Sequence, residues 1–184
     1  MNTKTIVILG GGVGGLVVAN ELRHKLAHDH RIVLVEKNPE HAFAPSFLWL
    51  MIGDRKPEKI TKPVSRLIRS GIEVVHAAVT GIDIPNRSIT TTARTLTYEY
   101  LVIALGAELA PELIPGLAES SYSFYTFEET RKLQQALLDF KGSNIAMVVS
   151  ALPYKCPGAP HEAAMLIADF FRRRGVQNKV AVHL

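Results

Sequence analysis

Gly10, Gly12 and Gly15 stand in the run Gly10-Gly11-Gly12-Val13-Gly14-Gly15 with the spacing Gly-x-Gly-x-x-Gly. That spacing suits the binding of a pyrophosphate, and each glycine has its own reason. Gly10 makes the tight turn. Gly12 lets the phosphates approach backbone without meeting a side chain, and Gly15 lets a helix pack close to a sheet. The free N–H groups and positive end of that helix, opening at Val13 and Gly14, then face the anion. Glu36 lies about 20 residues beyond the last glycine, where a ribose-binding carboxylate belongs. A carboxylate there accepts from ribose hydroxyls and repels a 2′-phosphate. Apart from its context, a glycine run is also a common flexible turn.

This chemistry needs a strand before the glycines, a helix after them and a second strand ending in the acid. Ile6-Val7-Ile8-Leu9 reads as the first strand and Arg31-Ile32-Val33-Leu34-Val35-Glu36 as the second. The helix is expected from Val13 to Ala27, with Leu16, Val17, Leu22 and Leu26 on its apolar face. Asn38-Pro39 punctuates the second strand. The apolar and aromatic segment from His41 to Asp54 suits a core, or a surface for a flat aromatic cofactor. A short helix is expected over Pro63–Ser70, stopped by Gly71, then a strand over Ile72–Val79. Short alternating segments at Gly81–Ile84, Arg87–Thr92 and Leu96–Tyr98 read as a small antiparallel crossover hairpin. Leu101–Gly106 reads as a strand covered on both faces, because its apolar run is continuous.

Ala107–Ser123, with Pro111, Pro115 and Gly116, is a connector. Thr126 and Glu129 form a capping-box pattern for a helix running to about Phe140. A strand at Asn144–Ser150, a Pro/Gly turn holding Cys156, a helix over His161–Arg174 stopped by Gly175, and a strand from Lys179 complete the reading. The fold class is α/β: a Rossmann-like nucleotide-binding domain over 1–110, with a parallel sheet and the crossover hairpin, then a connector and the start of a second Rossmann-like domain over 111–184.

The 184 residues, 47% hydrophobic, suffice to bury a real core. A single cysteine excludes an internal disulfide framework and makes a reducing compartment the default. The net charge of +4 is spread over helix faces and gives no signal for nucleic acid. No apolar run is long enough to span a bilayer. His24, His28 and His30 read as a solvated helix end, because no cysteine or carboxylate joins them at ligand spacing, and no metal is expected.

The opening strand, glycine turn and acid resemble the FAD domain of the two-dinucleotide-binding flavoproteins. Tyr98-Glu99-Tyr100-Leu101-Val102-Ile103-Ala104-Leu105-Gly106 resembles that superfamily's second signature, with Leu105 in place of the usual threonine. The segment Pro153–Met165 is more specific: it is similar to sulfide:quinone oxidoreductases and flavocytochrome c sulfide dehydrogenases, with Cys156 and Glu162 at matching positions. His41–Phe47 resembles the loop that covers the flavin there. The resemblance covers essentially the whole chain.

The resemblance implies FAD as cofactor, held by Gly10, Gly12, Val13, Gly14, Gly15, Glu36, Lys37, Pro45, Ser46, Val79, Ala104 and Gly106. It implies Cys156 as redox thiol and Glu162 as the group managing protons near the sulfur. A turn at a helix start favours thiolate, and Lys155 adds positive charge. Taken alone, a cysteine is most often a small buried hydrophobe, and Glu162 a first-turn acid.

Electrons would pass from a sulfur substrate through the thiol and flavin to a quinone or other acceptor. The implied location is cytoplasmic, at the inner face of the membrane in a full-length form that associates peripherally through its C-terminal part. Many family members carry a further cysteine where this chain has Tyr125. Ending on an apolar strand, without the late segment that completes the first sheet, the chain is expected to be a piece of a longer protein. Two alternatives stand: a non-catalytic FAD-binding fragment, or a flavoprotein of the NADH:quinone oxidoreductase type. Ser150–Cys156 stands where the latter carries a second glycine motif.

Overall fold

The structure, a computed structural model, describes residues 3–184. The chain divides into two compact units: the chain up to His41 with Thr61–Ala110, and Ala42–Ile60 with Pro111–Leu184. The segment 42–60, read from sequence with the first domain, thus groups with the second unit, because its apolar side chains are buried in that unit's core.

In the first unit, β1 (Thr5–Leu9) leads into α1 (Val13–Lys25) and β2 (Arg31–Glu36). β3 (Glu40–Ala42) pairs with β4 (Thr61–Pro63). β5 (Ile72–His76) follows, then β6 (Val79–Asp83), β7 (Ser88–Thr91), β8 (Thr95–Thr97) and β9 (Tyr100–Ile103). The main sheet is parallel, in the order β5-β2-β1-β9. Strand periodicity explains the unbroken apolar runs. Ile6, Ile8, Ile32 and Leu34 meet Leu16 and Ala19 of α1 on one face. Val7, Leu9, Val33 and Val35 meet Ile89 and Leu96 of the antiparallel β6-β7-β8 sheet on the other.

Several expectations are corrected. α1 ends at Lys25, and Val17 is 54% exposed rather than on the core face. The buried stripe instead runs through Leu16, Ala19 and Arg23. No α-helix forms over 63–70; Val64–Arg66 is a single 3₁₀ turn. Asn20 diverts the backbone there. Its Nδ2 donates to the Leu67 carbonyl and its Oδ1 accepts from the Arg69 N–H, both at 2.8 Å, and the Val64 N–H goes to the Pro39 carbonyl at 2.9 Å. The expected strand over 72–79 is divided at Ala77–Ala78. The hairpin is a three-stranded sheet, with a register shift between Val79 and Gly81. β9 is an edge strand and its cover is partial: Leu101 and Val102 pack half-buried on opposite faces, while Tyr100 and Ile103 are each 60% exposed.

The second unit contains α2 (Phe47–Met51), α3 (Pro57–Ile60), α4 (Leu117–Ser120), α5 (Phe127–Asp139), β10 (Ser143–Ala146), α6 (Ala159–Arg173) and β11 (Val180–His183). α6 thus begins two residues before the expected His161, and β10 is shorter than the expected 144–150. Pro160 is tolerated in the first turn of α6, where an N–H would have no helical partner. Thr126 caps α5 as read, its hydroxyl accepting from the Glu129 N–H at 3.3 Å. Ala163, Ile167, Phe170 and Phe171 recur at helical spacing and bury one face of α6 with Leu48, Met51 and Leu137. β10 and β11 pair in parallel across α6, a second strand–helix–strand unit. Among the described residues, no helix is long and apolar enough to cross a membrane.

Among the described residues of the first unit, Arg23 is the one buried cation. It donates from Nη1 to the His30 carbonyl at 3.0 Å and from Nη2 to the Leu26 and Ala27 carbonyls at 3.0 and 2.5 Å. Its charge sits near the negative end of α1, where it ties down carbonyls of the loop that follows the helix. Arg23→Met is expected to destabilise the chain by about 2 kcal/mol, since it removes three charge-assisted hydrogen bonds to these carbonyls. Urea unfolding measures this, and an unchanged midpoint would contradict the clamp.

Candidate functional site

The register of β1 between β2 and β9 sets the geometry of the glycine turn. The Gly10 N–H donates to the Val35 carbonyl and the Ala104 N–H to the Leu9 carbonyl, both at 2.8 Å. Gly10 therefore leaves β1 with Ala104 against it. Its φ of +98° is left-handed, and a Cβ there would strike the Ala104 carbonyl. A Cβ on Gly15 would strike the Gly10 carbonyl, so the helix enters against bare backbone. Gly12 differs: the space where its Cβ would sit is open. The three glycines thus serve turn, close packing and open approach.

Gly12 is the N-cap of α1, with no side-chain cap and no acid in the first turn. The exposed Val13 and Gly14 follow it. The carboxylate of Glu36 folds over this turn. Its Oε2 accepts from the Gly11 N–H at 2.5 Å and its Oε1 from the Asn38 N–H at 2.8 Å. A carboxylate has about four acceptor sites, so Glu36 keeps capacity for two hydroxyls. Ala104 is half-buried beside Gly14, Gly106 is exposed at φ +74°, Lys37 is exposed, and Val79 opens β6 half-buried. The first unit therefore brings Gly10, Gly12, Gly15, Glu36 and Ala104 together. Such a turn can take a pyrophosphate and an adjoining ribose.

Sequence reasoning passed over His41 as a functional residue. Its ring Nδ1 lies 3.2 Å from the Gly11 carbonyl, and the acceptor is a carbonyl, so Nδ1 donates. Nothing in the sequence marks this contact, which depends on β3 carrying His41 back to the turn.

In the second unit, Pro45 and Ser46 form the 3₁₀ turn Ala44–Ser46, with Pro45 exposed and Ser46 buried. Cys156 is an exposed free thiol at φ +56°, unusual for a residue with a Cβ. It precedes α6, and its carbonyl accepts from the Ala159 N–H at 3.0 Å. Tyr125 supports this loop: its hydroxyl donates to the Lys155 carbonyl at 2.6 Å. Burial, then the neighbouring Cys156 and Tyr154, push the Tyr125 hydroxyl above the usual tyrosine value. Glu162 lies half-buried in the first turn of α6, next to exposed His161. Among the described residues, no group of three or more His, Cys, Asp or Glu side chains could hold a metal.

The two strand–turn–helix units differ at the turn. Residues 10–12 join β1 to α1, whereas residues 147–158 join β10 to α6. The second connection carries Cys156, and α6 after it opens on Ala159-Pro160, where the proline removes one of the amides a phosphate would use.

Two family models match the chain, overlapping over residues 130–151. Residues 4–151 match the family described as pyridine nucleotide-disulphide oxidoreductase. Residues 130–183 match that described as sulfide dehydrogenase (flavocytochrome c) flavoprotein chain, central. The chain is 33% identical to the mitochondrial sulfide:quinone oxidoreductase of Dictyostelium discoideum, over 97% of this chain and 41% of that protein. The X-ray structure of the sulfide:quinone oxidoreductase from Aquifex aeolicus superposes with a TM-score of 0.85 at 31% identity, over 97% of this chain and 42% of that one. The NDH2 structure from Plasmodium falciparum in complex with NADH shares the fold, with a TM-score of 0.77 at 18% identity, over 98% and 41% of the two chains. The chain spans about two fifths of the length of the curated relatives it matches.

Two outcomes check this geometry. Gly15→Ala is expected to cost about 1–3 kcal/mol by overpacking against the Gly10 carbonyl, whereas Gly12→Ala leaves stability nearly unchanged and weakens binding of adenosine diphosphate. Equal urea midpoints for the two variants would contradict the assignment. For Tyr125, a raised value means that the fold favours the protonated hydroxyl. Its contribution is fully present below pH about 10 and is lost as pH rises through the raised folded value. The stability difference between wild type and Tyr125→Phe should therefore stay flat from pH 7 to 9 and shrink above pH 10; a loss already complete by pH 9 would refute the sign.

Proposed function

The chain belongs to the pyridine nucleotide-disulphide oxidoreductase family, and from that premise we propose that it works as an FAD-dependent oxidoreductase of the sulfide:quinone reductase type. Electrons would pass from a sulfur substrate through Cys156 and the flavin to a quinone. The observation that carries this reading is the contrast between the two strand–turn–helix units. One has a glycine turn whose backbone a phosphate can approach; the other has a longer loop with an exposed thiol. That contrast favours sulfur over a second dinucleotide as the electron source.

The glycine turn fits FAD. Gly10 and Gly15 leave no room for a side chain, and Gly12 leaves the approach open. Gly12, Val13, Gly14 and Gly15 would present backbone to the pyrophosphate, and Glu36 would accept from the ribose hydroxyls. Lys37, Val79, Ala104 and Gly106 complete the set from this unit. When bound, FAD supplies a two-electron acceptor. Cys156 supplies a sulfur nucleophile, exposed to solvent on its loop. Glu162, in the first turn of α6, would take or return protons near that sulfur. The proposed setting is the cytoplasmic side of a membrane, where a quinone is met.

An absorption spectrum of the chain loaded with FAD, before and after anaerobic sulfide, tests this reading. Sulfide should bleach the flavin bands of wild type and not of Cys156→Ala, and NADH should bleach neither. Bleaching by NADH alone would assign the chain to the NADH:quinone type. Bound flavin that ignores both donors would leave a cofactor-binding protein without this chemistry.

A further inference from the structure

The turn between β1 and α1 has three consecutive glycines, Gly10-Gly11-Gly12, and this creates a problem that the spacing alone does not solve. A peptide between two glycines can rotate so that its carbonyl and N–H exchange directions, because no Cβ opposes either arrangement. An anion at this turn is attracted by an outward N–H and repelled by an outward carbonyl. Something must hold these peptides one way round.

The structure supplies a partner for each of the two peptides. The Gly10–Gly11 peptide is held through its N–H, which donates to Glu36 Oε2 at 2.5 Å. The Gly11–Gly12 peptide is held through its carbonyl, which accepts from His41 Nδ1 at 3.2 Å. A trans peptide points its N–H opposite to its carbonyl. With the Gly11 carbonyl turned toward His41, the Gly12 N–H therefore points away from the ring. It does so at the residue whose Cβ position is open space, on the uncapped end of α1. His41 is itself placed by secondary structure. It lies in β3, which pairs with β4, and the Val64 N–H anchors the preceding Pro39 carbonyl at 2.9 Å.

We propose that His41 is a positioning residue for the dinucleotide: its Nδ1–H locks the Gly11–Gly12 peptide with the Gly12 N–H presented to the pyrophosphate. The inference rests on the reading of this turn as a dinucleotide site and adds a residue that the Gly-x-Gly-x-x-Gly pattern does not contain. It requires the Nδ1–H form of the ring. It also requires a donor near Nδ1 rather than an imidazole as such. Asparagine places its amide nitrogen close to that position, so it should replace histidine, whereas phenylalanine keeps the ring and loses the donor.

The test has three readouts on the 184-residue chain. Long-range nitrogen–proton NMR of the cofactor-free wild type should show His41 protonated at Nδ1; a neutral ring carrying its proton on Nε2 overturns the proposal without any variant. In the same sample, the Gly12 amide signal should move and exchange faster with solvent in His41→Phe, and return in His41→Asn. Titration with FAD and with adenosine diphosphate should show roughly tenfold weaker binding of both to His41→Phe, the worth of one hydrogen bond, and near wild-type binding to His41→Asn. Wild-type affinity in His41→Phe, or equal weakness in both variants, overturns it. A wild type that binds neither nucleotide removes the dinucleotide reading and the role of His41 in it. The NMR readouts then report separately whether His41 holds the peptide.

Discussion

The parallel register of β1 between β2 and β9 is the constraint on which the first unit's site depends. Leu9 pairs with Val35 on one side and Ile103 on the other, so three strands end at the same level of the sheet. That places Gly10, Glu36 and Ala104 at one edge, where the chain must leave β1 through backbone already occupied on both flanks. Gly10 and Gly15 follow from this crowding rather than from any general need for flexibility. In an open parallel sheet the carboxyl ends of the strands are where ligands bind. Here the same ends hold the carboxylate, the bare turn and the start of α1.

Burial on both faces of the sheet makes that register firm. A slip of one residue would exchange Ile6 and Ile8 with Val7 and Leu9, and so bring side chains chosen for α1 against the β6-β7-β8 sheet. Each buried aliphatic side chain contributes about 1.5–3 kcal/mol relative to exposure. Several would be misplaced at once, so the slipped register is far above the observed one. Precision at the glycine turn is thus inherited from the core.

The same physics explains which features were legible in the sequence. The apolar runs of β1 and β2 and the glycine spacing are local signals, and they led to the observed elements and turn. The Thr126 cap was legible because capping needs only residues three apart. The failures were nonlocal. The stretch over 63–70 has helical character, but Asn20 takes its backbone groups from a distance in sequence. The run of β9 reads like a central strand, yet its place at the edge is a matter of sheet order. His41 stands in a segment legible only as a loop resemblance, since its own contact lies in a carbonyl thirty residues earlier. Tyr125 was noted only as standing where a relative has cysteine; its bond to the Lys155 carbonyl comes from tertiary structure.

The helix termini carry a further argument about charge. α5 opens with a threonine that caps the Glu129 N–H and with Glu128 and Glu129 in its first turn, so its positive end already faces acceptors and acids. α6 opens with Pro160, which removes one amide, and with Glu162 in its first turn. α1 has neither cap nor acid at its start, while Arg23, His24 and Lys25 complement its negative end. A capping side chain is worth about 1 kcal/mol, so leaving one out at a helix start against a buried sheet costs stability. The cost is compensated when an anion binds there. The acid that could have served as a cap is present, but it is Glu36, delivered by β2 to the Gly11 amide rather than by the helix to its own end. From that position it leaves the later amides of the turn free, so that a carboxylate acceptor and an uncapped row of amide donors stand side by side in one short turn.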